Sequence, residues 1–303
     1  MWTGIELLHT FQDISQSVPD LVNQFFLVIS KPEFQYFLPI VLMAILLWCF
    51  GSRQADLLMF NFGFSNIVGY LVKNIVQQPR PWILDPTLDP SPEAKKGAPG
   101  YSLPSGHTTS ALSSYGTIAW LCRRNVLSIV FIALCILIPF ARMYLLVHTP
   151  LDIIVAAVIT LVVCLVNYRI LSWSYENDRN RTYVLIGYAV TAAILSIVCD
   201  IFAGKPFSNK MCGFCTVMPI CVLLKERYIA YDVPMIPISD RILPATPGLI
   251  AVILILEFSY RLIPTYGSTI GMTIAIAFII LLYPIVLKRW LKGKESNNVA
   301  ECQ

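Results

Sequence analysis

The sequence predicts an all-α fold, a polytopic membrane helical bundle of about nine transmembrane helices, on three observations. Of its 303 residues, 56% are hydrophobic and only 13% charged, where soluble domains carry roughly 25% charged residues. Mean hydropathy is +0.68. Apolar runs recur along almost the whole chain, and a bilayer crossing takes about 20 such residues. So little charge cannot coat a water-facing surface, and a soluble globular enzyme is all but excluded. The net charge of +4 gives no case for a nucleic-acid partner.

Residues 1–33 read as a first unit. They lack the basic start and short apolar core of a cleaved signal peptide. Glu6, His9, Asp13 and Asp20 mix there with Leu7, Leu8, Phe11, Ile14, Phe25 and Phe26. That mixture at roughly helical spacing predicts a helical segment lying on the membrane interface. Candidate spans follow at 34–51, 55–76, 106–122, 126–147, 150–171, 183–203, 211–228, 247–264 and 268–288. The seventh is the weakest, because Pro219 interrupts it and Lys225 closes it early. Six cysteines inside these runs read as small buried hydrophobes. Cys212 and Cys215 form a lone C-x-x-C, without the second pair or βαβ setting that zinc or redox chemistry requires. Glu257 and Arg261 stand four apart in the order that favours a helical ion pair. Asn61, Asn66 and Asn74 are placed to hydrogen-bond between helices.

With nine spans the connections alternate between two faces. One face collects Arg53, Arg123, Arg124, Arg169, Arg179, Arg181, Lys225, Arg227 and Arg241, then Lys288, Arg289, Lys292 and Lys294. The other keeps Lys31, Lys95, Lys96, Lys205, Lys210 and Arg261, besides Lys73, Arg80 and Arg142. The positive-inside rule puts the richer face in the cytoplasm. The N-terminus and the loops after the second, fourth, sixth and eighth spans are therefore expected outside or in a lumen, with the C-terminus cytoplasmic.

The longest connection, residues 77–105, carries Pro79, Pro81, Pro86, Pro90, Pro92, Pro99 and Pro104. Long irregular loops in compact proteins are usually functional, and prolines stiffen them and stop the preceding helix. Polar residues cluster around this loop and at the outward ends of spans. Lys73 falls in the last turn of the second span, and Pro79 and Pro81 force Arg80 out of helix. Ser105-Gly106-His107 opens the third span, where free N–H groups favour an anion and Gly106 permits close backbone approach. Arg142 ends the fourth span. His148 then precedes Thr149, Pro150 and Asp152, which suit the N-cap, first and third positions of the fifth. Asp152 stands four residues from His148, close enough to orient its ring. It is equally the acid of a capping box.

Charged groups at membrane depth are costly and functional by default. Three cations (Lys73, Arg80, Arg142) and two helix N-termini together describe a site for an anion with several oxygens. A histidine oriented by a carboxylate suits a nucleophile, and a second on another helix suits protonation of a departing oxygen. No cluster has metal-ligand spacing and P-loop glycine patterns are absent, so the expectation is that cationic side chains stand in for a metal and that no cofactor is needed.

Lys73-x6-Arg80-Pro81, Pro104-Ser105-Gly106-His107 and Arg142-x5-His148-x3-Asp152 resemble, in order and spacing, the three signature motifs of the type-2 phosphatidic acid phosphatase superfamily. Ala141 stands where that family usually has serine, a loss of one hydroxyl but no charge. The resemblance implies a six-helix catalytic core over residues 34–204 and a C-terminal extension of about three spans over 205–303. It implies a metal-independent phosphatase, with His148 forming a phosphohistidine, Asp152 orienting it and His107 as general acid. Lys73, Arg80, Ser105, Gly106 and Arg142 would hold the phosphate oxygens. The implied substrate is a lipid phosphate or diphosphate of the phosphatidic acid, phosphatidylglycerol phosphate or polyprenyl diphosphate class. Three alternatives are a soluble sugar phosphate, as in glucose-6-phosphatase, phosphoryl transfer to another lipid, and a non-catalytic membrane protein. Against the sugar phosphate, glucose-6-phosphatase lacks an aspartate at the place of Asp152.

Overall fold

The computed structural model describes residues 4–204, 211–231, 233, 237–262 and 267–290. Lys205, Lys210, Lys292 and Lys294 of the charge comparison, and residues 263–264 of the eighth expected span, lie outside the described residues. All regular structure among the described residues is helical, as the apolar composition requires. A bilayer offers backbone groups no partner, and a helix satisfies its own.

Two short helices, α1 (Glu6–Ser17) and α2 (Asp20–Ile29), lead through one wide π-type turn, Glu33–Phe37, into α3 (Leu38–Ile45). Next come α4 (Ser52–Val76), the short α5 (Pro81–Leu84) and α6 (Pro92–Lys96) of the proline-rich loop, and α7 (Gly106–Leu121). The chain continues through α8 (Leu127–Tyr144), α9 (Pro150–Ser174), α10 (Asp178–Ala203), α11 (Met211–Leu224), α12 (Ile238–Leu262) and α13 (Gly267–Ala277).

Seven helical stretches among the described residues are long and apolar enough to cross a membrane: Asp20–Phe50, Ser52–Leu84, Leu127–Tyr144, Pro150–Ser174, Asp178–Ala203, Ile238–Leu262 and Thr269–Trp290. The protein is an integral, multi-pass membrane protein. The third and seventh expected spans also form helices, but α7 has 16 residues and α11 has 14. Sixteen residues reach about 24 Å, short of the roughly 30 Å hydrocarbon layer. α7 packs between α4, α8 and α9 and buries Ser110, Ser113, Ser114 and Thr117. It meets helices rather than lipid, which is why its polarity is tolerated. The expected boundary at residue 34 falls inside the run Asp20–Phe50.

α4 is the axis of the bundle. Its most apolar window is 72% buried, against 22% in α9 and in α12. Burial on all sides explains its polar residues. Asn61 Nδ2 donates to Thr117 Oγ1 of α7 at 2.9 Å, and Asn167 Nδ2 of α9 donates to Asn61 Oδ1 at 3.1 Å. Tyr188 of α10 donates to Asn167 Oδ1 at 2.8 Å, and Ser110 of α7 to Asn66 Oδ1 at 2.8 Å. Asn74 instead bonds to Tyr70 O of its own helix at 2.8 Å.

The C-terminal helices share this core. At Gly63 of α4 a Cβ would stand 2.9 Å from Cys215 Sγ and 3.0 Å from a Phe214 ring carbon of α11. Only glycine allows that approach. Gly63→Leu is therefore expected to destabilise the protein by about 1–3 kcal/mol, read as a lower thermal midpoint in detergent. An unchanged midpoint would show that α11 does not dock there. Cys212 and Cys215 are both buried, as are Cys49, Cys199 and Cys221, while Cys122, Cys135 and Cys164 are partly buried. At the far end Arg181 of α10 pairs with Asp56 of α4 and, at 2.8 Å, with Glu226 beyond α11. Glu257 and Arg261 form the expected ion pair at 2.5 Å on the exposed face of α12.

α1 and α2 lie across the end of α8. Leu8 and Phe11 are buried there, with the Phe11 ring 5.4 Å from Phe140 and Phe26 4.3 Å from Tyr144. His9 Nε2 sits 2.9 Å from Asp85 Oδ2, and Gln12 bonds Thr87 O at 3.1 Å and the Asp89 N–H at 2.8 Å. The N-terminal helices and the proline-rich loop thus form one roof over one end of the bundle.

Candidate active site

Under that roof lie the three polar clusters singled out in the sequence. α4 stops after Val76, with Gln77 in a left-handed conformation (φ 52°). Lys73, one turn earlier, donates from Nζ to Tyr101 O at 2.9 Å and Ser102 O at 3.1 Å. Arg80 is extended (ψ 155°) between its two prolines. Its guanidinium donates to Gly100 O at 2.9 Å, Pro99 O at 2.8 Å and Val147 O at 3.0 Å, and Trp82 stands 5.9 Å from it as a side wall.

Ser105 caps α7, its Oγ accepting from the Thr108 N–H at 3.4 Å. Its own N–H donates to Asp152 O at 3.2 Å, which joins the starts of α7 and α9. A Cβ on Gly106 would meet only Gln35 Nε2 at 3.5 Å, so packing within the chain does not demand glycine there. His107 Nε2 lies 3.0 Å from Ser30 O at the end of α2.

Arg142 ends α8. Leu146, at φ 60°, turns the chain so that Val147 and His148 both donate their N–H groups to Arg142 O. That tight turn sets His148 beside Arg80. Thr149, Pro150 and Asp152 then form the expected capping box: Thr149 N–H donates to Asp152 Oδ2 at 2.8 Å, and Asp152 N–H to Thr149 Oγ1 at 3.4 Å. The same carboxylate oxygen lies 3.3 Å from His148 Nδ1. Asp152 therefore both caps α9 and faces the imidazole.

Arg80 Nη1 stands 3.0 Å from His148 Nε2. A guanidinium can only donate, so Nε2 is the lone-pair nitrogen and Nδ1 carries the proton, directed at Asp152. Burial, then the positive charges of Arg80, Lys73 and Arg142, hold the His148 imidazole well below its usual range. The ring is neutral at neutral pH. Arg142 is 1% exposed and Asp152 fully buried. Arg142 Nη2 reaches Gly97 O at 3.3 Å, while its Nε and Asp152 Oδ1 are buried without a hydrogen-bond partner. Unsatisfied polar atoms at such depth are costly. A ligand oxygen accepting from Arg142 Nε would relieve one of them, whereas Asp152 Oδ1, itself an acceptor, can be met only by a donor.

All eight residues expected at the site thus occupy one end of the bundle, seven of them tied to it by side-chain or backbone hydrogen bonds. One participant is not legible in the sequence. Ser102, fully buried, donates from Oγ to Asp152 Oδ2 at 2.6 Å while its carbonyl accepts from Lys73. No motif or periodicity marks a serine in an irregular loop, and its partner lies fifty residues on.

Residues 56–176 match the family model of the PAP2 superfamily, a stretch that holds every one of these motif residues. Undecaprenyl-diphosphatase BcrC of Bacillus subtilis (strain 168) is 26% identical over 161 residues, which cover 52% of this chain and 76% of that protein. No solved structure matches the chain.

Proposed function

We propose, on the match of residues 56–176 to the PAP2 superfamily model, that this protein is a membrane phosphatase that hydrolyses a lipid phosphate or diphosphate without a metal ion. The observation that carries the reading is the gathering of Lys73, Arg80 and Arg142 around a neutral, carboxylate-facing His148. The similarity to undecaprenyl-diphosphatase BcrC favours a lipid substrate, and a polyprenyl diphosphate first among the candidates.

In this mechanism His148 Nε2 attacks the terminal phosphorus as Arg80 moves its N–H from that nitrogen to a phosphate oxygen. A P–N bond forms and the P–O bond to the leaving group breaks. His107 takes up a proton as the phosphate anion docks beside it and passes that proton to the departing oxygen, which leaves the ring neutral. Asp152 holds the Nδ1 proton and balances the charge that the imidazole acquires. Water then loses a proton to His107 and attacks phosphorus, which breaks the P–N bond and releases phosphate. Lys73, Arg80, Arg142 and the Ser105–Gly106 N-terminus of α7 neutralise the equatorial oxygens.

Residues 34–204 serve as the catalytic core in this reading, with 205–303 as a C-terminal extension whose helix α11 packs against α4 and α10. The cluster faces outward or into a lumen, with the N-terminus on that side and the C-terminus in the cytoplasm. Its support is the run of Arg53, Arg123, Arg124, Arg179 and Arg227 at the opposite end of the bundle.

The deciding experiment measures phosphate release by detergent-purified protein, with chelator present. Its substrates are phosphatidic acid, phosphatidylglycerol phosphate, a polyprenyl diphosphate and glucose 6-phosphate. Turnover of a lipid substrate is expected, and faster release from the sugar phosphate would overturn the lipid assignment.

The acid limb of kcat/KM carries a second expectation. It reports the free enzyme's base, and His148 titrates below the usual 6.5. The reactive neutral ring therefore persists as pH falls through 6.5 and is lost only lower down. Activity should hold to below pH 6.5, and a half-maximal point above 7 would exclude this ring as the base. Below pH 6.5 the unfolded chain binds a proton that the folded site refuses, so stability declines in the same direction.

A further inference from the structure

A second polar site lies at the other end of α4. Arg53, in the first turn of that helix, is about 30 Å from Lys73 along the axis, the thickness of the hydrocarbon layer. There the ends of α4, α7 and α9 enclose a cavity of about 280 Å³ lined by Arg53, Gln54, Trp120, Tyr168, Ser172 and Tyr175.

The charges around it are unevenly met. Arg53 and Arg181 both lie against the Tyr175 ring, 4.6 and 4.5 Å from its centroid. Arg181 is neutralised by Asp56 and Glu226. No carboxylate pairs with Arg53 among the described residues. The first turn of α4 has no side-chain cap, so its free N–H groups add to the positive potential. Arg123 sits 4.9 Å from the Trp120 ring on the far wall.

An apolar track runs along α9 from the Tyr168 and Ser172 that line the cavity. Trp120 and Tyr168 pack edge to face at 5.4 Å and are 44% and 43% exposed. Leu161, Leu165 and Tyr168 share one face of α9 with Ser172. The two leucines are 60% and 57% exposed. Positive charge, an aromatic rim and an apolar strip running toward the membrane centre are the chemistry of an amphiphile with an anionic head.

We propose that this groove binds the phosphate head group of an anionic phospholipid, taken from the leaflet opposite the histidine–cation cluster, with an acyl chain along the exposed leucine face of α9. Arg53 and the α4 N-terminus hold the phosphate, and Trp120 and Tyr168 flank the glycerol region. The site is distinct from the one that handles substrate, and it stands whether or not the catalytic reading is correct.

The test reconstitutes the full chain in phosphatidylcholine vesicles containing a photoactivatable phosphatidylglycerol and maps the labelled peptides. Wild-type protein should be labelled on the peptides bearing Trp120 and Tyr168, in clear preference to labelling by photoactivatable phosphatidylcholine. Arg53→Gln should lower that labelling about fivefold, Arg53→Lys should retain it, and Arg179→Gln, an exposed arginine at the same end, should leave it unchanged. Equal labelling by the two lipids, which needs no variant, would overturn the proposal. So would unaltered labelling of Arg53→Gln. Inorganic phosphate that abolishes labelling would assign the groove to a free anion and refute the lipid.

Discussion

His148→Ala is expected to lower kcat for phosphate release by at least roughly a thousandfold, about 4 kcal/mol of barrier. The reason lies in what the ring alone supplies. It is a neutral nitrogen lone pair fixed 3.0 Å from one cation and backed 3.3 Å away by a carboxylate. Alanine leaves the anion-binding charges in place, so substrate should still bind while turnover is lost. The substitution removes a buried ring but no ion pair on which the fold depends, since the turn at 145–148 is held by backbone bonds to the carbonyls of Ala141, Arg142 and Met143. Measuring kcat together with the binding of a phosphate analogue separates the two effects. Undiminished turnover would refute the nucleophile assignment, and lost analogue binding would mean the ring builds the pocket instead.

Asp152→Asn is the second large effect, expected between about a hundredfold and ten-thousandfold in kcat. Carboxylate-to-amide changes behind a catalytic histidine reach about ten-thousandfold where the amide traps the wrong tautomer. The 3.3 Å separation here argues for the lower part of the range. Oδ2 accepts from Ser102 Oγ and the Thr149 N–H besides facing Nδ1. Asparagine keeps the size, and its backbone N–H still reaches Thr149 Oγ1 to cap α9, but an amide nitrogen in the place of Oδ2 faces donors and an amide oxygen there carries no charge to balance the imidazolium. The thermal midpoint should fall little while kcat collapses. A variant that unfolds but keeps full specific activity in its folded fraction would reduce Asp152 to a helix cap.

The sequence carried the parts of this site that are local. Thr149-Pro150-x-Asp152 and Ser105 announce helix starts through their own backbone chemistry, and Pro79 and Pro81 announce the break around Arg80. Hydropathy located the helices because lipid imposes one rule on every span. Shorter and more polar or Pro-interrupted, α7 and α11 are tolerated because α4 and its neighbours surround them. What could not be read depends on chain-distant pairing: Ser102 with Asp152, Arg181 with Asp56 and Glu226, and the seating of α1 over α8. The carbonyls that receive Lys73 and Arg80 belong to residues 99–102 and 147. Backbone acceptors leave no signature, because every residue has one.

Those carbonyls have a thermodynamic consequence. By clasping the ammonium and guanidinium groups, the loop makes folding itself overcome the mutual repulsion of three like charges. An arriving oxyanion then finds its counter-charges already immobilised, and its docking relaxes a tension written into the native state. Affinity for phosphate and resistance to unfolding are, in this molecule, two measurements of a single interaction.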